Sequence, residues 1–272
     1  MALEVISPVG RVDGPPAEAT RPLLLLHGFT QTRRSWGRFA SELGTDRTLV
    51  LADLPGHGSS STVHADLWEA AGLLAAATHE TAGALAADGR LDVLGYSLGA
   101  RVALHLAVAH PELVHGLILI SGTPGIADDQ ARETRRQRDA DLADRLESEA
   151  DVESFLDRWL AAPMFATLPS AASSRASRSA NTASGLAASL RLSGTGAQDP
   201  LWGRLEQISA PVLVVTGATD IRFTELGGRI VERVGAGVLS VVPGAGHAAH
   251  LEQPRVVARL VSTWLRSLGE AG

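Results

Sequence analysis

Six short, mainly aliphatic runs punctuate the chain: Leu23–Leu26, Thr48–Leu51, Leu91–Leu94, Leu117–Ile120, Val212–Val215 and Val238–Val242. Few of them alternate cleanly between apolar and polar residues. Successive side chains of a strand point to opposite faces, so a strand that is apolar throughout must be covered on both. Segments with helical spacing fill the gaps, at about 36–43, 66–87, 98–109, 225–234 and 254–268. In the last of these, Val256, Val257, Leu260, Val261, Trp264 and Leu265 recur with the period of a helix. Strands alternating with helices specify an α/β architecture, a mostly parallel central sheet flanked by helices.

The rhythm breaks between Ser121 and Leu205, where no run resembles a strand. The charged stretch Asp128–Glu149, then Ser154–Leu160, then the Ser/Ala-rich Leu168–Leu190 read as helices, with a loose linker as the other reading of the last. The expected division is a core of residues 1–121 and 206–272 with an all-helical cap insertion at 122–205. Such an insertion sits over the C-terminal ends of the strands, where open α/β sheets bind ligands.

Composition removes whole classes of function. The chain of 272 residues has no cysteine, which excludes disulfides, thiolate metal sites and a cysteine nucleophile. Its net charge is -6 and every basic residue is arginine, with no continuous basic stripe, so nucleic acid is not an expected partner. Met1–Gly14 has neither the charged nor the apolar region of a signal peptide, and Leu23–Leu26 is far too short to span a bilayer. A cytoplasmic protein without membrane insertion, monomeric or weakly homo-oligomeric, is expected. There is no phosphate loop, no dinucleotide fingerprint and no helical His pair with a carboxylate, so neither cofactor nor metal is expected.

Gly95-Tyr96-Ser97-Leu98-Gly99 joins an apolar run to an Ala/Leu/Val-rich helix. That context is the one a nucleophile elbow requires, with Ser97 held in a sharp turn at a helix N-terminus. Taken alone, the motif also fits a Gly-rich turn with an N-capping serine. A serine hydroxyl needs a base, and the base needs an orienting acid. His247, in Gly244-Ala245-Gly246-His247, follows the last run, and Asp220 follows the run before it. The order Ser97, Asp220, His247 is the one that strand–elbow–helix enzymes use. Asp53 is a second candidate acid, but it precedes the elbow and fits a structural loop better. His27 is expected to shape the loop after Leu26, His57 to fix its own loop, and His250 to be structural or to line the site. The oxyanion hole is expected from the backbone amides of Leu98 and Phe29.

The segments Leu26-His27-Gly28-Phe29-Thr30, Ser35-Trp36, Asp53-Leu54-Pro55-Gly56-His57-Gly58 and Gly95 to Arg101 resemble one branch of the α/β hydrolases. It is the 2-succinyl-6-hydroxy-2,4-cyclohexadiene-1-carboxylate synthases of menaquinone biosynthesis. Ser121 to Ile126, Arg135 to Asp139 with Leu142-Ala143, Trp159 to Phe165, Leu192 to Gln198 with Leu201-Trp202, and Gly244 to Glu252 are similar to that family too. Two positions depart from it. Ala100 stands where the family usually has a third glycine, and Arg222 where it often has lysine.

The resemblance implies an α/β-hydrolase fold and an elimination rather than a hydrolysis. Ser97, activated by His247 and Asp220, would take a proton, and the Phe29 and Leu98 amides would hold an enolate oxygen. It implies a small-molecule polycarboxylate substrate bound by Tyr96, Arg135, Trp159 and Arg191. Arg135 lies among Arg132, Arg136 and Arg138, and the sequence does not decide which of them faces the pocket. Two other readings stay open: a carboxylesterase or C–C hydrolase with the same triad, and a non-catalytic ligand-binding homologue.

Overall fold

The computed structural model describes residues 1–8 and 20–270. Residues 9–14, part of the stretch read for a leader, lie outside the described residues. Among the described residues seven strands form one sheet: β1 (Leu3–Ile6), β2 (Leu23–Leu26), β3 (Leu49–Ala52), β4 (Leu91–Tyr96), β5 (Val114–Ile120), β6 (Val212–Gly217) and β7 (Gly237–Val242). Their order is β1-β3-β2-β4-β5-β6-β7. Only β1 is antiparallel, pairing Leu3 with Ala52 and Ile6 with Leu49. The sequence did not announce β1, because its Val5 and Ile6 are exposed at the sheet edge and carry no burial pattern.

Helix α1 (Gly37–Leu43) and, after the single turn α9 (Ala249–Glu252), helix α10 (Pro254–Glu270) cover one face of the sheet. Helices α2 (Leu67–Leu85), α3 (Leu98–Ala109) and α8 (Ile221–Val231) cover the other. Adjacent residues of β2 divide accordingly: Leu23 and Leu25 enter the core beneath α1 and α10, Leu24 and Leu26 the core beneath α2 and α3. This two-sided burial is why β2 is four consecutive leucines. Helix α2 starts where Asp66 accepts from the Trp68 and Glu69 amides and Glu69 reaches back to the Asp66 amide, a capping box. Helix α8 begins four residues before the expected Glu225, because its first turn exposes Ile221 and gives no apolar spacing to read.

Between β5 and β6 the chain forms no strand. It runs through α4 (Asp129–Glu149), α5 (Val152–Leu160), α6 (Arg175–Arg178) and α7 (Ala183–Ser193). The segment Leu168–Leu190 is not one helix, since Pro169 and a left-handed Ser174 (φ 56°) break it. Helix α4 buries only Asp139, Ala143 and Leu146, a single stripe one residue wide. That stripe packs on Leu186, Ala187 and Leu190 of α7. The excursion is stitched where it leaves and returns: Leu201 N–H donates to Pro124 O at 2.7 Å and Trp202 Nε1 to Gly125 O at 2.9 Å. Among the described residues no helix is long and apolar enough to cross a membrane.

The sheet reverses its strand order around β2, which has β3 on one side and β4 on the other. The loops leaving β2 and β4 therefore diverge and leave a crevice at the C-terminal edge of the sheet. Phe29 and Ser97 stand on those two loops.

Candidate active site

Ser97 caps α3 with φ 51° and ψ −105°. A non-glycine residue held there is strained by about 1–3 kcal/mol, which the surrounding packing must over-determine. The flanking glycines show how. A Cβ on Gly99 would overlap the Leu26 carbonyl oxygen, and one on Gly95 would overlap the Gly99 carbonyl. Helix α3 thus presses directly onto β2 and β4, and Ser97 N–H is tied to Ile120 O at 2.9 Å. The tight turn lifts the serine hydroxyl above the sheet.

His247 Nε2 lies 3.2 Å from Ser97 Oγ, and His247 Nδ1 lies 2.7 Å from Asp220 Oδ2. With its Nδ1–H donating to the carboxylate, the ring presents Nε2 as an acceptor for the serine proton. His247 is buried, and Asp220 nearly so. Each of the three side chains stands at a strand's C-terminal end: Ser97 after β4, Asp220 after β6, His247 after β7.

The loop after β2 is fixed by neutral histidines. His27 Nδ1–H donates to Gly28 O at 2.9 Å and Nε2 accepts from Leu54 N–H at 3.1 Å. His57 Nδ1–H donates to Pro55 O at 2.9 Å and Nε2 accepts from Thr30 N–H at 3.3 Å. Burial lowers His27 to about 4 and His57 to about 3, so both rings are uncharged at neutral pH. Thr30, left-handed at φ 67°, is also held by Asn181 Nδ2, 2.6 Å from its carbonyl, and by Arg178, which bonds its hydroxyl. Arg178 is fully buried and has no carboxylate partner among the described residues; its other acceptors are the carbonyls of Ser173 and Phe29. Phe29 and Leu98 both line the cavity above Ser97. Neither backbone N–H is spent on a protein acceptor among the described residues.

That cavity encloses about 270 Å³ between the strand ends and the helical excursion. Its walls include Ser97, His247, Trp159 and three arginines, Arg101, Arg135 and Arg222. Arg101, one helical turn beyond Ser97, is buried and donates to Ser193 O at 2.6 Å. Burial above all, and then the nearby charge of Arg135, lower Arg101 to about 9, so it remains a cation at neutral pH. Arg222 stands beside Phe223, whose ring packs on His247 with centroids 4.6 Å apart.

Of the residues expected to bind substrate, Arg135 and Trp159 reach the cavity, and Tyr96 and Arg191 do not. Arg191 lies one residue past Leu186, Ala187 and Leu190, the stripe that packs on α4, and turns to the exposed flank of that seam rather than into the cavity. There it pairs with Asp144 at 2.6 Å and Glu147 at 2.7 Å. Tyr96 is buried behind the site, packed on His250 and His247 with ring centroids 4.4 and 5.5 Å away, and its ring fills the space where Gly28 lacks a side chain. It supports His247 and the loop after β2 from beneath. Arg101 went unassigned in the sequence although a signal was there: it is the lone ionised residue in the apolar helix Leu98–Ala109, at the i+4 position from Ser97. Arg178 had no such signal, because its neighbours Ser177 and Ser179 read as a polar surface.

The chain is similar to known proteins over nearly its whole length. The alpha/beta hydrolase family pattern matches residues 23–260. The 2-succinyl-6-hydroxy-2,4-cyclohexadiene-1-carboxylate synthase of Pectobacterium atrosepticum is 34% identical over 247 residues, covering 89% of this chain and 93% of that protein. The synthase of the same name from Serratia proteamaculans is 32% identical over 256 residues, covering 93% and 96%. Among solved structures, MenH from S. aureus superposes with a TM-score of 0.88 at 25% identity, covering 98% of each chain. A thermophilic esterase from Thermogutta terrifontis has a TM-score of 0.78 at 23% identity, covering 98% of this chain and 93% of the esterase, and shares the fold. The chain belongs to the alpha/beta hydrolase family and, within it, to the 2-succinyl-6-hydroxy-2,4-cyclohexadiene-1-carboxylate synthases.

Proposed function

We propose that the protein is a carbon–oxygen lyase that expels pyruvate from 2-succinyl-5-enolpyruvyl-6-hydroxy-3-cyclohexene-1-carboxylate, leaving 2-succinyl-6-hydroxy-2,4-cyclohexadiene-1-carboxylate. The observation that carries the proposal is the pairing of a Ser97–His247–Asp220 relay with arginines lining the same cavity. An esterase for neutral acyl groups has no use for that much positive charge, whereas a substrate with three carboxylates needs it. Arginine's planar fork matches a carboxylate through two parallel hydrogen bonds.

In this scheme Ser97 Oγ, its own proton drawn onto His247 Nε2, removes the ring proton beside the succinyl ketone. The electron pair moves onto the ketone oxygen, which the Phe29 and Leu98 amides hold as an enolate. The pair then returns to the ring, the ring carbon–oxygen bond breaks, and pyruvate departs as its enolate and regains a proton from the relay. No water is consumed and no acyl-enzyme forms. Such amide donors are typically worth about 3 kcal/mol each in transition-state stabilisation.

Pyruvate release from the enolpyruvyl substrate, read with a coupled lactate dehydrogenase assay, tests the assignment against cleavage of p-nitrophenyl acetate. Rapid pyruvate release is expected, with Ser97→Ala slower by at least about a thousandfold. Efficient ester cleavage without pyruvate would replace the lyase with an esterase. Near-normal turnover by Ser97→Ala would remove the serine from the base relay.

A further inference from the structure

The buried stripe of α4 holds one acid, Asp139, on the same helix face as Ala143 and Leu146. Its carboxylate is almost inaccessible, while the Arg135 side chain it meets is 38% exposed. Oδ1 accepts from Arg135 Nε at 2.8 Å, and Oδ2 accepts from Gly196 N–H at 3.2 Å. A Cβ on Gly194 would come within 2.7 Å of Oδ2, so the turn after α7 lies directly on this carboxylate. That turn begins beside Ser193, whose carbonyl holds Arg101. One buried acid therefore touches the wall arginine of α4 and the turn that anchors the wall arginine of α3.

We propose that Asp139 is a positioning residue for substrate: it orients Arg135 so that the outer edge of its guanidinium faces the cavity, and keeps Arg135 and Arg101 together despite their like charge. The proposal rests on reading the cavity as a polycarboxylate site. Because Nε is committed to Asp139, the two terminal nitrogens of Arg135 remain to grip a substrate carboxylate end-on. Without that tether, Arg135 is exposed enough to turn into water, away from the repulsion of Arg101. The repulsion shows in Arg101 itself, whose proton affinity is lowered first by burial and then by Arg135, with Asp139 acting in the opposite sense.

Charge and orientation predict opposite signs for one substitution. Asp139→Asn deletes a negative charge beside the cavity, so charge alone would tighten binding of an anion and lower KM. Loss of orientation raises KM. Orientation dominates here because a free Arg135 leaves the wall. Asp139→Asn is expected to raise KM for the enolpyruvyl substrate by about tenfold or more, the worth of a charge-assisted hydrogen bond, and to leave kcat within about threefold. In an Arg135→Ala background the same substitution should change KM by less than about twofold, since it acts through an arginine no longer present. Succinate binding by calorimetry supplies a second readout that needs no turnover, with weaker binding expected for Asp139→Asn.

An unchanged or lowered KM, a kcat that falls in step with KM as KM rises, or an equal effect in the Arg135→Ala background would each overturn the role of Asp139. If the parent protein binds succinate but releases no pyruvate, the lyase assignment falls while the calorimetric comparison still decides Asp139. If it neither binds succinate nor releases pyruvate, both fall together.

Discussion

His27, His57, His105 and His250 carry no charge at neutral pH, and folding depends on their staying so. Burial lowers His27 and His105 to about 4, and His57 and His250 to about 3, from an unfolded value near 6.5. A histidine whose folded value lies below its unfolded one takes up its proton on unfolding. Its contribution to stability is therefore present above pH ~6.5 and is lost as pH falls toward the folded value. Each such proton contributes up to about 1.4 kcal/mol per pH unit, and four act together. The urea midpoint should fall steeply between about pH 6.5 and 4.5; a level midpoint over that range would contradict the burial of these rings. At this scale the sequence disclosed types and order well. Ser97, Asp220 and His247 could be proposed because each must follow an apolar run, and the structure sets all three within hydrogen-bonding reach. It disclosed side-chain direction poorly. Arg191 and Leu190 are neighbours in sequence, yet only two acidic partners, 47 and 44 residues away, reveal that Arg191 turns outward.

Elements were legible where both faces are buried or the period is clean. Strand β2 and helices α1, α3 and α10 fall where the apolar pattern puts them, to within a residue or two at each end. The misses share one cause: β1, the first turn of α8 and the broken stretch around Pro169 all expose their side chains, so burial left no trace in the sequence. Two glycines give a test of how elements press on each other. Gly99 lies where α3 meets β2, and any Cβ would overlap Leu26 O; Gly83 lies in the exposed part of α2 with open space around it. Gly99→Ala should lower the unfolding free energy by more than about 3 kcal/mol, beyond ordinary overpacking because the obstacle is backbone. Gly83→Ala should raise it by about 0.5–1 kcal/mol through helix propensity. Denaturant titration of both variants decides; a Gly99→Ala protein as stable as the parent would mean that α3 does not rest on β2.

Taken whole, the molecule is acidic, at net charge -6, yet concentrates Arg101, Arg135 and Arg222 around one cavity. A polyanionic substrate is therefore repelled by the surface at large and drawn to one place, and mobile ions weaken that pull. On the proposed function, kcat/KM should fall severalfold between about 20 and 300 mM salt while kcat holds, as screening lengths shrink from ~20 to ~6 Å. A kcat/KM indifferent to salt would argue against arginine capture of the substrate. The stitched departure and return of the helical excursion has a further consequence. The Leu201–Pro124 hydrogen bond brings the two ends of the excursion together before the chain crosses back to begin β6 parallel to β5, so the excursion leaves the core and rejoins it almost at the same point. To the sheet, the whole excursion counts as one long loop, and loops tolerate exchange. Over generations, what hangs above the strands is free to be traded while the elbow beneath is inherited intact. Substrate preference can then drift quickly across a lineage whose chemistry barely moves.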